Sequence, residues 1–405
     1  MKRFILMNKD RKLAGFTCHE NAVGEIQVGS LPPYITDLEK WIRNRTTIVG
    51  RKNYNKLLDA YGIYDRESFI LLSRCISLND TLWINCMDKP TSWNRINPYR
   101  QPLNKVATEL ALGAELIGVV LSTPSPELGT NGSFPKCWKH INNKIKLVKK
   151  GSTKAYIAQD IHSNEPFSEY YTYKIAKFYG VKSIAEVSIG YTGKTKYEVN
   201  NNIELPDVAS YSTCFTDEKT GFIPIADIPD LDFENMNEVL FYMRSLGADS
   251  EKIFREMLLL DALTMNVDRH AGNYGFLIDN DTFKILGAAP IFDNNLSLTP
   301  NLSIRDKDID EIKEDLKNLH SKTPLGNNFI EQGAKAMTLE MYHQAINKLL
   351  PVVKKKNWLI EPIHIREDEE ERIGLSKLRA EYMEWLVRNQ LINILTCFQQ
   401  IHKKK

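Results

Sequence analysis

The sequence predicts an α+β fold in two parts, with small mixed sheets in the first half and a largely helical body in the second. Three observations carry this. Short strand-like runs such as "KRFILMN", "EIQVG" and "KIKLVKK" all fall before residue 226. From Met236 onward the apolar spacing is helical and the helices are long. Where the two parts meet, clusters of Asp, Asn, Arg and His interrupt segments that otherwise look buried.

In order along the chain, "KRFILMN" and "EIQVG" read as strands, and "ITDLEKWIRNR" as an amphipathic helix opened by Thr36 as N-cap. "RKNYNKLLDAYG" reads as a second helix, closed by Gly62. "ISLNDTLWI" is a loop and then a strand, and "NRINPYRQP" a connector. The middle holds a Gly/Ser/Pro-rich loop at 122–136, the strand "KIKLVKK", the helix "SEYYTYKIAKFYG", and strands around "VSIGY" and "SYSTCFT". The helical part comprises "NEVLFYMRSLG", "SEKIFREMLLLDALTMN", "LEMYHQAINKLLPVVKK" and "LSKLRAEYMEWLVRNQLINILTCFQQIHK". A chain of 405 residues exceeds one ordinary core. The expected units are an N-terminal α/β subdomain at 1–100, a small lobe at 101–225 and a helical lobe at 226–405. The acidic run "REDEEER" (366–372) reads as a solvated helix start or loop.

Composition narrows the function. Hydrophobic residues make up 42% and charged residues 26%, as in ordinary globular chains. A net charge of +2, from 53 basic and 51 acidic residues, argues against a dedicated nucleic-acid surface. No apolar stretch approaches the length of a membrane span. The run "FILM" near the start is too short for a signal-peptide core. The six cysteines are scattered without a CxxC pair, which points to reduced thiols and a cytoplasmic setting. None of the eight histidines lies at zinc-ligand spacing from a cysteine pair.

The chemistry concentrates in "LTMNVDRHAGNYGFLID", Leu263 to Asp279. Asp268, Arg269, His270 and Asn273 form a tight loop between a helix and the strand "YGFLI". A second strand, "TFKIL", pairs back through the turn "DNDT". Next, "APIFDNN" reads as an apolar strand ending on Asp293. Phosphoryl transfer needs such groups: a carboxylate to orient or deprotonate the attacking hydroxyl, and an amide oxygen with a second carboxylate to hold magnesium.

"MNVDRHAGNYG" and "IFDNN" resemble the catalytic and metal segments of the HipA-like serine/threonine kinases; the pattern Asn-x-Asp-Arg-His-x-x-Asn is shared. The resemblance covers roughly residues 100–345 and implies a bilobal HipA-like kinase fold that uses ATP and Mg2+. It makes Asp268 the catalytic base with Arg269 and His270 in support, and Asn273 and Asp293 the metal ligands. Gly132 and Lys136, with Ser133 between them, match the spacing of the family's nucleotide loop, where glycine lets backbone N–H groups approach phosphate. On "KIKLVKK", Lys149 shares a face with Ile145 and Leu147 and is the expected phosphate lysine; Lys150 and Lys146 are the rivals. Glu169, at the opening of the next helix, is its expected partner, or else caps that helix beside Ser168. "YSTCFTDE" (211–218) resembles the adenine-reading segment between lobes, with Phe215 packed nearby.

Further expectations follow from the resemblance. The substrate is a protein with a Ser/Thr acceptor, and the role that of a toxin with a small DNA-binding antitoxin or of a secreted effector. Gly129 stands where the family's loop carries a serine, which leaves Ser122, Thr123, Ser125, Thr130 and Ser133 as autophosphorylation candidates. "SLNDTLWI" and "SWNRINPY" (92–99) match the family's N-terminal subdomain without attached chemistry. Two rival readings are a small-molecule phosphotransferase of the aminoglycoside type, which carries a His-Gly-Asp-style loop, and a non-catalytic pseudokinase or partner-binding module.

Overall fold

The computed structural model describes residues 2–46, 51, 53–116, 118–151, 164–197, 203–302, 304, 307, 309–319, 328–359 and 377–403. The acidic run at 366–372 lies outside the described residues.

The chain opens with an antiparallel sheet in the order β3-β2-β1-β4, built from β1 (Lys2–Asn8), β2 (Arg11–His19), β3 (Ala22–Val28) and β4 (Leu82–Cys86). Phe4 and Leu6 of β1 face the core with a two-residue period. Three helices cover the sheet: α1 (Leu38–Thr46), α2 (Tyr54–Tyr61) and α3 (Arg66–Ser73). Asp37 opens α1 in place of the expected Thr36, its carboxylate accepting from the Lys40 N–H at 3.1 Å. Gly62 closes α2 at φ 65°, in the left-handed region that favours glycine. The sequence reading missed α3, although Asp65 and Ser68 form a reciprocal capping box there.

The connector "NRINPYRQP" is more than a linker. It begins within α4 (Trp93–Ile96) and is followed by α5 (Lys105–Ala111). Trp93 Nε1 and Asn97 Nδ2 donate to Glu218 at 3.3 and 2.7 Å, and Arg100 pairs with the same carboxylate.

A second antiparallel sheet runs β5-β6-β8-β7, with β5 (Lys136–Ile141), β6 (Lys144–Lys150), β7 (Val187–Tyr197) and β8 (Ile203–Thr213). Helix α6 (Glu165–Tyr179) falls between β6 and β7 in the chain. The apolar core of the first sheet continues into this one through Leu128, Cys137, Val148 and Ala209. Residues 214–219 then lead to a third sheet, β11-β10-β9, made of β9 (Thr220–Pro224), β10 (Gly275–Asp279) and β11 (Ile285–Ala288).

The helical lobe contains α7 (Met236–Ser245), α8 (Ala248–Thr264), α9 (Ile309–Lys317), α10 (Phe329–Ala336), α11 (Leu339–Gln344), α12 (Leu350–Val353) and α13 (Lys377–Lys403). "LEMYHQAINKLLPVVKK" is not one regular helix. A π turn at Ala345–Leu349 separates α11 from α12, just before Pro351, which has no N–H to give. The expected strand in "APIFDNN" reduces to one bridge, Ile184 to Ile291. Pro290 removes a ladder donor on one side, and Asp293 turns the chain at φ 56° on the other. Among the described residues no helix is long and apolar enough to cross a membrane. The α+β, two-lobed architecture expected from the sequence is the observed one.

Gly333 marks a close helix crossing. A Cβ there would lie 2.8 Å from Ala262 Cβ on α8 and 3.0 Å from Ile394 Cδ1 on α13. In an open helix Gly→Ala gains about 1 kcal/mol. Overpacking of this kind costs about 1–3 kcal/mol, so Gly333→Ala is expected to destabilise the protein in urea unfolding. A rise in stability would show that the helices can separate freely.

Candidate active site

The upper side of the site is the β5–β6 hairpin. Lys136 and Lys149 are directly opposed in its register, so both side chains leave the same face. Both are buried. Lys149 Nζ lies 2.5 Å from Asp293 Oδ1 and 3.2 Å from Glu169 Oε2. Burial disfavours its charge, but the two carboxylates, Asp293 foremost, hold its pKa above the usual lysine range. Lys136 goes the other way. Burial, then the neighbouring Lys149 and Arg51 charges, bring it down to about 8 against a partial counter-pull from Asp293. Burial likewise opposes charge on Asp293, yet Lys149 and Lys136 hold its carboxyl far below the ordinary aspartate range.

The strand period separates the three lysine rivals. Ile145 and Leu147, on the face of Lys149, are only half-buried, whereas Val148 on the opposite face is sealed into the N-terminal core. Lys146 reaches Ser188 Oγ instead, at 3.4 Å. Glu169 does not open its helix; α6 begins four residues earlier, at Glu165, so the residue sits in the second turn rather than at a cap. Its oxygens accept from Ser210 Oγ at 2.7 Å and Ser212 Oγ at 3.3 Å, both on β8. Those two serines were not foreseen, since a serine in a strand has no distinguishing sequence signal.

Above the hairpin lies the Gly/Ser loop. Its first part is a 3-10 turn, Pro126–Gly129. Gly132 has φ 104°, and a Cβ there would fall 2.2 Å from Lys136 Nζ, so the lysine folds back beneath the glycine. The tip, Asn131 to Ser133, is exposed. Two of the loop's hydroxyls are engaged inside it. Ser125 is buried against Glu127. Thr130 Oγ1 donates to the Pro126 carbonyl at 2.7 Å and accepts from Trp138 Nε1 at 2.9 Å. Ser122, Thr123 and Ser133 are exposed.

The lower side is organised by Arg269, which is fully buried. Its Nε and Nη2 donate to both oxygens of Asp261, at 2.9 and 3.0 Å. Nη1 donates to the carbonyls of Asn273 (2.8 Å) and Phe292 (2.6 Å), and Nη2 also to Asn294 Oδ1 (2.6 Å). One guanidinium therefore joins α8, the loop of Asp268 and the turn of Asp293. The Asp268 backbone is held three ways: its N–H by Asn266 Oδ1 at 3.1 Å, and its carbonyl by Asn273 Nδ2 at 3.0 Å and the His270 N–H at 2.8 Å. His270 is exposed, its Nδ1 accepting from the Gly272 N–H at 3.1 Å. Asp261 was missed, although a carboxylate inside "MLLLDALTM" is the kind of buried polar group that needs a partner.

Phe215 stands in the segment between β8 and β9. Its ring meets Phe222 at 5.8 Å and Phe292 at 5.3 Å, so an aromatic cluster seats the residue before Asp293 beneath the inter-lobe linker. The structure thus gathers Gly132, Lys136, Lys149, Glu169 and Asp293 into one cluster, and ties Asp268, Arg269 and Asn273 to it through the Asp293 turn. Ser133 and His270 lie at its exposed margin.

A buried lysine held between a helical glutamate and a loop aspartate, over a second Asp–Asn loop, is a kinase-like arrangement. Sequence comparison agrees at that level. A stretch of 183 residues is 30% identical to the serine/threonine-protein kinase CtkA of Helicobacter pylori, covering 42% of this chain and 52% of that protein. The chain therefore spans about half the length of this relative. The crystal structure of an H. pylori proinflammatory kinase CtkA aligns over 66% of this chain and 94% of that one, at 19% identity and a TM-score of 0.44. No family model matches the chain.

Asp261→Ala leaves the Arg269 charge buried without its carboxylate. Removing one partner of a buried pair costs about 3–5 kcal/mol, and a loss of that size is expected in urea unfolding. A loss below about 1 kcal/mol, the value of a solvent-screened pair, would contradict this role.

Proposed function

We propose that the protein is an ATP- and magnesium-dependent protein serine/threonine kinase of the HipA-like type. The observation that carries the reading is Lys149 held between Glu169 and Asp293, with the Asp293 turn bound through Arg269 to the loop of Asp268 and Asn273. The H. pylori relative, described as a serine/threonine-protein kinase, supports it.

Each residue has a task in this reading. Lys149 and Lys136 present two cations under a glycine turn, suited to a polyphosphate. Glu169 fixes Lys149, and Ser210 fixes Glu169. Asp268, with its backbone bonded on three sides, orients the acceptor hydroxyl and takes its proton. The donor set fits magnesium: the Asn273 amide nitrogen is engaged by the Asp268 carbonyl, which leaves its oxygen as a ligand, and Asp293 supplies a carboxylate. Magnesium, when bound by Asn273 and Asp293, supplies charge neutralisation to the phosphates. The segment carrying Phe215 would read adenine through its backbone.

The same proposal includes the division at residues 100 and 225 and a cytoplasmic setting, with which six free cysteines are consistent. It also includes a toxin role with a small DNA-binding antitoxin as partner. Autophosphorylation belongs to it too, narrowed to the exposed Ser122, Thr123 and Ser133.

Labelled ATP with magnesium, offered with casein or with an aminoglycoside, tests the reading. Wild type should label the protein acceptor. Asp268→Asn should lose about 10²–10⁴ in rate while keeping ATP affinity. Labelling of the aminoglycoside alone would make the enzyme a small-molecule phosphotransferase, and ATP binding without turnover a non-catalytic module.

Lys136 makes affinity depend on pH. Its pKa of about 8 in the free protein rises beside a polyanion, so ATP binding takes up a proton above that pH. Affinity should be level from pH 6 to 7 and weaken above pH 8, by up to about tenfold per unit. Calorimetric titration of Lys136→Met should show a flat profile there. An equally steep profile in the variant would assign the titration elsewhere.

A further inference from the structure

Arg51 belongs to no motif and lies in the N-terminal unit, between α1 and α2. It is nevertheless 6% exposed, and both terminal nitrogens of its guanidinium bond the 127–136 loop, while Nε has no partner among the described residues. Nη1 donates to the carbonyls of Glu127 (2.5 Å) and Thr130 (3.3 Å), and Nη2 to the carbonyl of Lys136 (2.5 Å). The planar group stands 5.5 Å from the Tyr54 ring centroid, and Tyr54 adds a bond of its own, Oη to the Leu128 carbonyl at 2.7 Å. Residues 127 and 136 are thereby pinned to one cation while the tip, 131–133, remains exposed.

This arrangement has a physical consequence. A glycine-containing loop that must order its whole length around a polyphosphate loses conformational entropy at every residue. With both ends pinned beforehand, only the tip has to order, and preorganisation of that kind appears as affinity. The fork geometry matters. Two N–H groups diverge to carbonyls on opposite sides of the loop, which a single lysine ammonium does not reproduce. Arg51 also adds positive charge beside Lys136, where it acts after burial and Lys149 in lowering that lysine's pKa.

We infer that Arg51 is a positioning residue for the nucleotide: it holds the two ends of the 127–136 loop so that ATP affinity depends on the N-terminal unit. The inference rests on the reading of that loop as a phosphate loop. The test uses the full-length protein and the variants Arg51→Gln, Arg51→Lys and Tyr54→Phe. Calorimetry with magnesium ATP, steady-state kcat and KM for ATP, and hydrogen exchange of the 127–136 peptide are measured on each.

Arg51→Gln should raise Kd and KM for ATP about tenfold or more, the effect of losing hydrogen bonds to a charged donor. Its kcat at saturating ATP should stay within about threefold, because a loss of uniform binding leaves turnover intact. Exchange of the loop should quicken. Arg51→Lys should restore little, and Tyr54→Phe should shift KM in the same direction by about two- to fivefold. A purely structural arginine would lower the melting temperature without this split between KM and kcat. Unchanged Kd and KM in Arg51→Gln, or unchanged loop exchange, overturns the proposal. Should Arg51→Gln fail to fold, Tyr54→Phe decides by the same readouts. Wild type that does not bind magnesium ATP overturns the kinase reading itself, and this inference with it. Wild-type binding with an indifferent Arg51→Gln overturns this inference alone.

Discussion

The lower half of the site depends on one buried cation. The Arg269 guanidinium has five N–H donors and no exposure to water, so its charge is tolerable only when every partner is in place. Those partners come from three separate stretches: Asp261 on α8, the Asn273 carbonyl, and Phe292 with Asn294. The strong penalty for a partial set makes the three stretches come together as a unit. Asp268, Asn273 and Asp293 inherit their relative positions from that requirement, although none of their side chains touches Arg269 among the bonds described above.

The upper half obeys a different balance. Lys136 and Lys149 repel, Asp293 and Glu169 attract, and Lys149 takes most of the compensation because it contacts both carboxylates. Burial lowers the pKa of Lys136, which has less carboxylate compensation, while that of Lys149 rises. Two lysines face two carboxylates, so the cluster is formally neutral and Lys136 is its titratable cation. Asp293 is the joint between the halves: its side chain belongs to the upper cluster and its backbone neighbours to Arg269.

The first sheet and its helices are fastened to the rest of the molecule at several points. Asn97 and Trp93 grip Glu218 in the inter-lobe linker. The Asn79 carbonyl accepts from the Phe222 N–H at 2.6 Å, and Asn8 Nδ2 donates to the Asn280 carbonyl at 2.6 Å. Arg51 and Tyr54 hold the 127–136 loop. The segment "SWNRINPY", which carried no chemistry in the sequence, thus contributes Trp93 and Asn97 to the contact with Glu218.

Much of this protein could be read from the chain alone. The two-part α+β order follows from hydrophobic period, which is local, and the Asp268–Asn273 loop is legible because its groups lie within six residues. Lys149 stood out from Lys150 by the two-residue period of a strand, which sends neighbours to opposite faces. Other features required the folded chain. Asp261 with Arg269, Ser210 with Glu169, and Arg51 with the carbonyls of 127, 130 and 136 join residues 8 to 85 positions apart. Main-chain carbonyls leave no trace in the sequence of the residues that supply them. The helix start at Glu165 and the loss of the strand at 289–292 were likewise decided by packing and by prolines at 166 and 290. Sequence by itself determined which chemical groups were present and their local spacing. Tertiary structure decided which of them share a dry, charged space, because burial and charge compensation are properties of neighbours in space rather than along the chain.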